Sequence, residues 1–426
     1  MTAEIAVMNQ SAVALAADSA ATRSEAKIFT ANKIFALSKY RPVAVMIYGS
    51  SACMNVPWET IIKQFRAELG EADLATVSDF GDALFKYIGA NRALFPQSEQ
   101  EQFAFIYAAE KFARIKKNIV EAVNTAIAEN GPITQEQASD LAQGVLDQRK
   151  TFWKGRPRRK NVPRDARRRA REQYGNQIVD ARDQVLQQLP LTAKQRETLM
   201  QITLDSWYKQ PQSGQSGIVV AGFGRDDMFP ALVNYEIDGV LLNRPISWTS
   251  GDVALSQNNR AVVVPFAQDD MIRLFVEGVT PAYEAFVESY FEQLVNGLNA
   301  MVVSELPADQ AMQQIKDDLE KNRATVIGSL SEKLREERKA LYVDPLLSIL
   351  SGLPLNELAS LAESLVNLTS LRRRVSLDKE DVGGPIDVAV ISRGDGLVWI
   401  KRKHYFPAEL NQQFFANYFR TKVGHG

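Results

Sequence analysis

The sequence contains few residues that could bind a metal or form a disulfide: one cysteine and two histidines among 426 residues. The single cysteine, Cys53, excludes an intramolecular disulfide and fits a reducing compartment. With only His404 and His425 available, a histidine-based zinc site and a Ser-His triad are both poorly supported. We interpret Cys53 as a small buried residue rather than a nucleophile, and we expect neither a metal nor a cofactor.

The sequence also lacks an excess of either charge. Its 50 lysines and arginines balance 51 aspartates and glutamates, so no global field attracts a polyanionic partner. No apolar run reaches about 18 residues, which predicts that no segment spans a membrane. Glu4 and Asn9 interrupt the N-terminus before any signal-peptide-like region, so we expect a cytoplasmic protein.

What is present is an N-terminal hairpin pattern that begins with a hydroxyl amino acid. Two apolar runs, 3–7 and 12–17, flank the polar residues 9–11, which predicts a β-hairpin. If Met1 is removed, Thr2 carries a nucleophilic hydroxyl and a free α-amine on one residue. Threonine activated by its own amine is a recognised covalent catalyst. The reference pKa of that amine, about 7.7–8.0, suits a general base near neutral pH.

The sequence around this hairpin resembles that of the proteasome-type threonine peptidases, that is, proteasome β subunits and their simpler bacterial relatives. The matching features are an N-terminal threonine, a strand ending Ala-Ala-Asp-Ser, a lysine just past the hairpin, a strand ending in glycine and a first helix: Thr2, residues 16–19, Lys33, residues 42–49 and residues 58–69. The sequences of the predicted strands at 217–275 and 376–406 are also similar to that family.

The resemblance implies a role for each matching residue. Thr2 would be the nucleophile, Lys33 a cation that keeps the Thr2 amine neutral, and Asp18 the partner that fixes Lys33. The backbone N–H of Gly49 would face the developing oxyanion. This set implies a self-activating threonine hydrolase of amide bonds, most simply a peptidase acting on peptides or unfolded proteins.

Two other functions stay open because part of the family's supporting set is missing. The usual Gly-Ser-Gly has no counterpart at 264–268, and a later aspartate would have to be Asp378 or Asp381. A non-catalytic ring or scaffold subunit of the same fold would explain these gaps. A small-molecule amidase of that fold would keep the chemistry and change the substrate.

The implied fold is α+β: a four-layer αββα sandwich of the N-terminal nucleophile hydrolase class, with helical insertions. The helical pattern from about Phe80 to Asn130 ends at Gly131-Pro132, and Asp238-Gly239 predicts a turn between two strands. The chain divides into a first core part, a helical insertion, second core strands, a helical region and closing strands with a C-terminal tail: 1–95, 96–215, 216–275, 276–372 and 373–426.

The segment 154–172, called the basic segment below, holds ten lysines and arginines and two acids. Such a run can neutralise phosphates, but aromatic residues occur only at its edges, which does not support base stacking. A solvated loop and helix start would also explain it. We expect it to dock on an acidic surface of a neighbouring subunit, and nucleic-acid binding is the weaker alternative.

An apolar stripe predicts association. Its members recur at four- and seven-residue steps with charged residues between them: Ile315, Leu319, Val326, Leu330 and Leu334. This spacing predicts an amphipathic helix that packs between subunits. We therefore expect a ring-like homo-oligomer, whereas an unfoldase partner is not identified by any motif.

Overall fold

The computed structural model describes residues 3–23, 27–160, 162–211, 214–267, 269–305, 310–375, 384–403, 406–413 and 416. The fold is α+β, with helices and antiparallel sheets, as the sequence predicted. The chain forms two units, which are described separately. The first unit combines Met1–Ile34 with Ala254–Gly426, and the second unit is Phe35–Val253.

The elements are numbered in chain order. The strands are β1 Ala3–Asn9, β2 Ala12–Ala17, β3 Ala20–Arg23, β4 Lys27–Thr30, β5 Ile34–Ala36, β6 Val43–Gly49, β7 Ala52–Cys53, β8 Val56–Pro57, β9 Ser216–Gly222, β10 Ala231–Leu241, β11 Arg244–Ala254, β12 Ala261–Ala267, β13 Asp387–Ser392 and β14 Gly396–Lys401. The helices are α1 Trp58–Leu69, α2 Val77–Ala90, α3 Gln97–Asn130, α4 Gln135–Gly155, α5 Ala166–Leu186, α6 Ala193–Tyr208, α7 Asp270–Glu277, α8 Pro281–Glu305, α9 Gln310–Arg338, α10 Asp344–Leu350 and α11 Leu355–Arg374. A π-helical turn, Lys339–Val343, joins α9 to α10. None of the described helices is long and apolar enough to cross a membrane.

The first unit is built on the predicted N-terminal hairpin. β1 and β2 pair antiparallel from Glu4 opposite Ala17 to Asn9 opposite Ala12. Their sheet has the order β12-β1-β2-β13-β14, and α11 packs on its central strands. Because side chains alternate along a strand, Ile5 and Val7 share one face of β1, where they are buried in a cluster with residues of α11.

The second unit contains the sheet β11-β10-β9-β6-β5. Helix α1 begins at Trp58 and ends at Leu69, as predicted, and Gly70 follows at a φ of 55°. Trp58 is fully buried in a cluster that α1 and α2 form with the sheet. Strand β10 runs straight through Asp238-Gly239, so the predicted turn there is wrong. The chain turns instead at Leu242-Asn243, where both φ angles are positive.

The second unit also holds four helices, α3–α6, with their own apolar cluster. The predicted helix 80–130 is interrupted at 91–96: α2 ends at Ala90, and α3 begins at Gln97, directly after Pro96, which has no N–H for a helical hydrogen bond. Helix α3 ends before Gly131 as predicted. Thr134 then caps α4 through reciprocal hydrogen bonds with Gln137.

Two arginines of the basic segment form ion pairs within the second unit. Arg159 is 3% exposed, and its Nη2 lies 3.2 Å from an Asp238 carboxylate oxygen. Arg171 makes two hydrogen bonds of 2.8 Å to Glu197. Local charge density therefore overstates how much of this segment is available to a partner, and its docking on a neighbouring subunit stays a prediction.

In the first unit, α9 packs along α8. The Ile315 and Leu319 side chains of the predicted stripe lie outside the described residues. Val326 is 45% exposed, and Leu330 and Leu334 are partly buried. The larger exposed stripe is on α8 and consists of Tyr283, Phe286, Tyr290, Leu294, Leu298, Met301 and Val302.

Candidate active site

The hairpin fixes Asp18 beside the start of the first strand. Asp18 directly follows β2, and its backbone N–H donates to the Ala3 carbonyl over 3.1 Å. In return the Ala3 N–H donates to Asp18 Oδ1 over 3.2 Å. Asp18 has no exposed surface. These two bonds hold the Asp18 carboxylate against the backbone of Ala3, the residue that follows Thr2 in the sequence.

Lys33 reaches the same position from the residues that precede β5. Its Nζ lies 2.5 Å from Asp18 Oδ1 and 3.0 Å from Glu4 Oε1. Lys33 is 5% exposed, and both carboxylates are fully buried. Buried charges are tolerated when they are paired. The structure therefore brings together two of the residues singled out in the sequence, Asp18 and Lys33, and adds a third group.

Glu4 is the site residue that sequence reasoning missed. Its only apparent effect in the sequence was to interrupt an apolar N-terminus. The signal in the sequence is a glutamate within an otherwise apolar strand. A strand that is buried on both faces has no solvent-facing position for a charge, so such a glutamate needs a buried partner. With all three groups ionised, Lys33, Asp18 and Glu4 carry a formal net charge of −1.

The chain that enters β13 is held against the same end of the hairpin. Ser19 is fully buried, and its hydroxyl donates to the Pro385 carbonyl over 2.7 Å. Gly384 has a φ of 81°, and a Cβ there would lie 2.7 Å from Ser19 Oγ. Glycine is needed at this position for close approach. Asp387, which follows, is engaged by Lys403 at 2.9 Å.

Not every predicted residue can be placed. Thr2, Asp378 and Asp381 lie outside the described residues. Gly49 ends β6 in the second unit, at a φ of 76°, and a Cβ there would lie 2.6 Å from the Gln215 carbonyl oxygen. This explains why glycine occupies the position, whereas its oxyanion role stays a prediction.

Cys53 is a buried residue, as the sequence predicted. Cys53 is 3% exposed, and burial raises the pKa of its thiol to about 12, so it is protonated at neutral pH. Among the described residues, no group of three or more His, Cys, Asp or Glu side chains is placed to hold a metal ion. The acids of the hairpin site, Glu4 and Asp18, are both engaged by Lys33.

Comparison with known proteins gives matches among solved structures, but none among family models or curated proteins. No family model matches the chain, and no curated protein does. Among solved structures, it is similar to Anbu (ancestral beta-subunit) from Yersinia bercovieri, with 10% identity over 97% of this chain and 94% of that chain, at a TM-score of 0.28. It is also similar to the helical assembly of the Anbu complex from Pseudomonas aeruginosa, with 9% identity over 97% and 93% of the two chains, at a TM-score of 0.25.

These comparisons overturn the family assignment made from the sequence. The prediction that the chain is a bacterial-type member of the proteasome-type threonine peptidases, with long helical insertions, is wrong: no family model places it there, and likeness at TM-scores of 0.28 and 0.25 carries no argument. The matching text consisted of short strand ends and turns, which other antiparallel hairpins also provide. The chemistry of the site must be argued from its own geometry.

Proposed function

We propose that the protein is an N-terminal threonine hydrolase that cleaves peptide bonds after Met1 has been removed. The observation that carries the proposal is the buried cluster of Lys33, Asp18 and Glu4, hydrogen-bonded to Ala3, the residue after Thr2. Three charged groups are buried together at one chain terminus, where paired charges add less to stability than apolar side chains of similar size would. Charged side chains are almost never fully buried unless they are paired, which makes this cluster a candidate for a functional site.

Strand geometry supports a short distance between Thr2 and this cluster. Residues two apart on a strand share a face, so a continuing β1 would bring the Thr2 side chain to the face of Glu4. Lys33 Nζ already lies 3.0 Å from Glu4 Oε1 on that face. We propose that the Thr2 hydroxyl and α-amine act together with this lysine.

In the proposed reaction, Thr2 Oγ bonds to the scissile carbonyl carbon while its proton passes to the Thr2 amine. That proton moves to the leaving nitrogen as the C–N bond breaks, and water then hydrolyses the ester and restores the hydroxyl. The oxyanion role of the Gly49 N–H stays a prediction from the sequence; a donor of this kind contributes about 3–4 kcal/mol.

Glu4 changes the electrostatic balance expected from the sequence. Lys33 alone would lower the pKa of a nearby amine, whereas two carboxylates raise it. The two carboxylates would therefore offset the lowering that Lys33 alone would cause in the pKa of the Thr2 amine. In this account Asp18 orients Lys33, and Glu4 offsets its charge.

Two further features belong to the proposal. The first is the four-layer αββα sandwich, for which the support is that each five-stranded sheet carries helices of its own unit on one face. The second is a homo-oligomer, supported by the exposed apolar stripe of α8. Exposed patches of this kind mark association sites. Helix α8 has four glutamates and no lysine or arginine, which disfavours an anionic membrane surface.

The test is turnover of fluorogenic peptides by variants at the terminus. Thr2→Val keeps the β-branched shape and the amine but lacks the hydroxyl, so we expect a loss of roughly 10³-fold or more. Thr2→Ser keeps both groups and should retain measurable turnover. Full activity in Thr2→Val would refute the proposal.

Glu4→Gln tests the electrostatic role separately. Removing a negative charge lowers the pKa of the Thr2 amine, and the amine must be neutral to act as a base. The acid limb of the pH–rate profile should therefore move to lower pH. Asp395→Asn, which removes an acid from the β13–β14 turn, serves as the control and should leave the profile unchanged.

A further inference from the structure

The second unit contains a cavity that the proposed reaction does not use. Its volume is about 660 Å³, within the range of about 300–1,000 Å³ typical of small-molecule sites. The lining comes from α2, from 159–170, from the end of α6 and from the β10–β11 hairpin. All of these elements belong to the same unit, so the cavity can be described by itself.

One part of the lining is aromatic: Phe85, Trp207, Tyr208, Tyr235 and Trp248. Phe85, Trp207, Tyr235 and Trp248 are buried by the fold. Aromatic walls of this size suit a planar or bulky apolar group. They do not by themselves define which polar group the ligand carries.

The charged part of the lining is mostly cationic. It contains Lys86, Arg159, Lys160 and Arg244, against one carboxylate, Asp82. Burial, followed by the neighbouring Asp79, raises the pKa of Asp82. The lining therefore favours an anion and offers little to a ligand ammonium group.

Arg159 is held in place before any ligand arrives. Its Nη2 donates to the Ser206 carbonyl and to Asp238, each over 3.2 Å, and its Nε donates to the Lys209 carbonyl over 3.0 Å. The guanidinium lies over the Trp248 ring, 4.6 Å from its centroid. A cation fixed by partners on several sides loses little freedom when it binds an anion.

Two donors on lining residues remain unused. Arg159 Nη1 and Trp207 Nε1 are both buried and have no acceptor within the described part of the chain. Buried donors are normally hydrogen-bonded. Neither atom has accessible surface, so the two donors do not face the open cavity, and its accessible positive charge comes from Lys86, Lys160 and Arg244.

We propose that this cavity binds a small carboxylic acid with an aromatic body and no free ammonium group, such as an N-acylated aromatic amino acid. The carboxylate lies toward Lys86 and Lys160, and the buried Arg159 adds to the local positive potential. The aromatic body lies along Phe85, Tyr235 and Trp248. The basic segment thus serves, through Arg159 and Lys160, as a wall of a small-molecule site.

The test is calorimetric titration of the full chain with N-acetylphenylalanine and with its amide, which has the same body and no charge. We expect the acid to bind at least tenfold more tightly than the amide. Equal affinity for the two compounds, or no binding of the acid at millimolar concentration, would overturn the proposal.

Variants test the location of the site. Lys86→Gln with Lys160→Gln should weaken binding of the acid severalfold and leave the amide unaffected. Lys150→Gln with Lys194→Gln removes the same charge at exposed positions outside the cavity and should change neither. Equal weakening by both pairs would show a general charge effect and refute the site.

The same carboxylate could come from a free acid or from the C-terminal residue of a peptide. A tripeptide ending in phenylalanine, titrated as acid and as C-terminal amide, distinguishes these sources. Binding of the tripeptide acid at the affinity of N-acetylphenylalanine supports a peptide C-terminus, and its exclusion supports a free acid. Both outcomes are independent of Thr2 and therefore of the proposed hydrolysis.

Discussion

Helices α3–α6 and helices α8–α9 both carry apolar side chains at helical spacing, but they bury them to different extents. In α3–α6, large residues such as Phe112, Tyr174 and Trp207 are at most 3% exposed. On α8, Phe286 and Leu298 are 62% and 63% exposed. The spacing of apolar residues alone therefore does not show whether those side chains are buried within their own unit.

The difference comes from what each helix packs against. α3 contacts α4, α5 and β10, and α5 and α6 contact each other, so each apolar stripe meets another. The main described helical partner of α8 is α9, which covers one side of it. The α3–α6 cluster is buried like a domain core, whereas the α8 stripe is an exposed apolar patch, for which association is proposed above.

The largest expected effect is on stability and separates the two regions directly. Leu199→Ala empties a fully buried position of α6 and should cost about 2–5 kcal/mol of unfolding free energy. Leu298→Ala removes the same atoms from a position of α8 that is exposed in the single chain, so at concentrations where the chain is monomeric it should change this free energy by about 0.5 kcal/mol or less. Urea unfolding followed by circular dichroism measures both. Equal costs in the monomer would show that Leu298 is buried within its own chain.

The second prediction concerns association. Phe286→Glu with Leu298→Glu places charges on the α8 stripe, so the mass measured by light scattering should fall toward the chain mass of 47.5 kDa. Ile106→Glu is the matched control, because this residue is exposed on α3 to 41%. An unchanged mass in the α8 variant, or a wild-type chain that is monomeric at all concentrations, would contradict association through α8.

The smallest expected effect is on the surface of α3–α6. The hydrogen bond from Arg171 and its charge lower the pKa of Glu197, so the pair stabilises the fold above the ordinary glutamate pKa and loses this effect as pH falls through the lowered value. Both side chains are about half exposed, and solvent screening limits the contribution to about 0.2–1 kcal/mol. Arg171→Gln should reduce stability by that amount at pH 7 and by nothing at pH 2. A larger loss of stability, or a loss that persists at pH 2, would contradict this prediction.

The sequence predicted features that depend on neighbouring residues. The N-terminal hairpin, the bounds of α1, and the stop at Gly131 all follow from local patterns, and the structure confirms them. The proximity of Asp18 and Lys33, inferred from a family to which the chain is not assigned, is also found. Short patterns were therefore informative about local structure even where the family was not.

Features that depend on distant partners were not predictable. Arg159 appeared to be one charge in a basic run, because its partner Asp238 is 79 residues away. Asp238-Gly239 predicted a turn, but Asp238 is engaged by Arg159 and Gly239 lies under the Phe103 ring, so the strand continues. Glu4 joined the site only when the fold brought Lys33 to it. In each case the long-range contact decides the role.

The most direct test of the central claim is the intact mass of the purified chain before and after treatment with a β-lactone probe. The account predicts loss of Met1, then a single covalent adduct that peptide mapping assigns to Thr2, and no adduct on Thr2→Val. It also predicts slower labelling of Lys33→Met than of Lys63→Met, a lysine variant on the exposed side of α1. A chain that retains Met1, or an adduct that maps to another residue, would contradict the account.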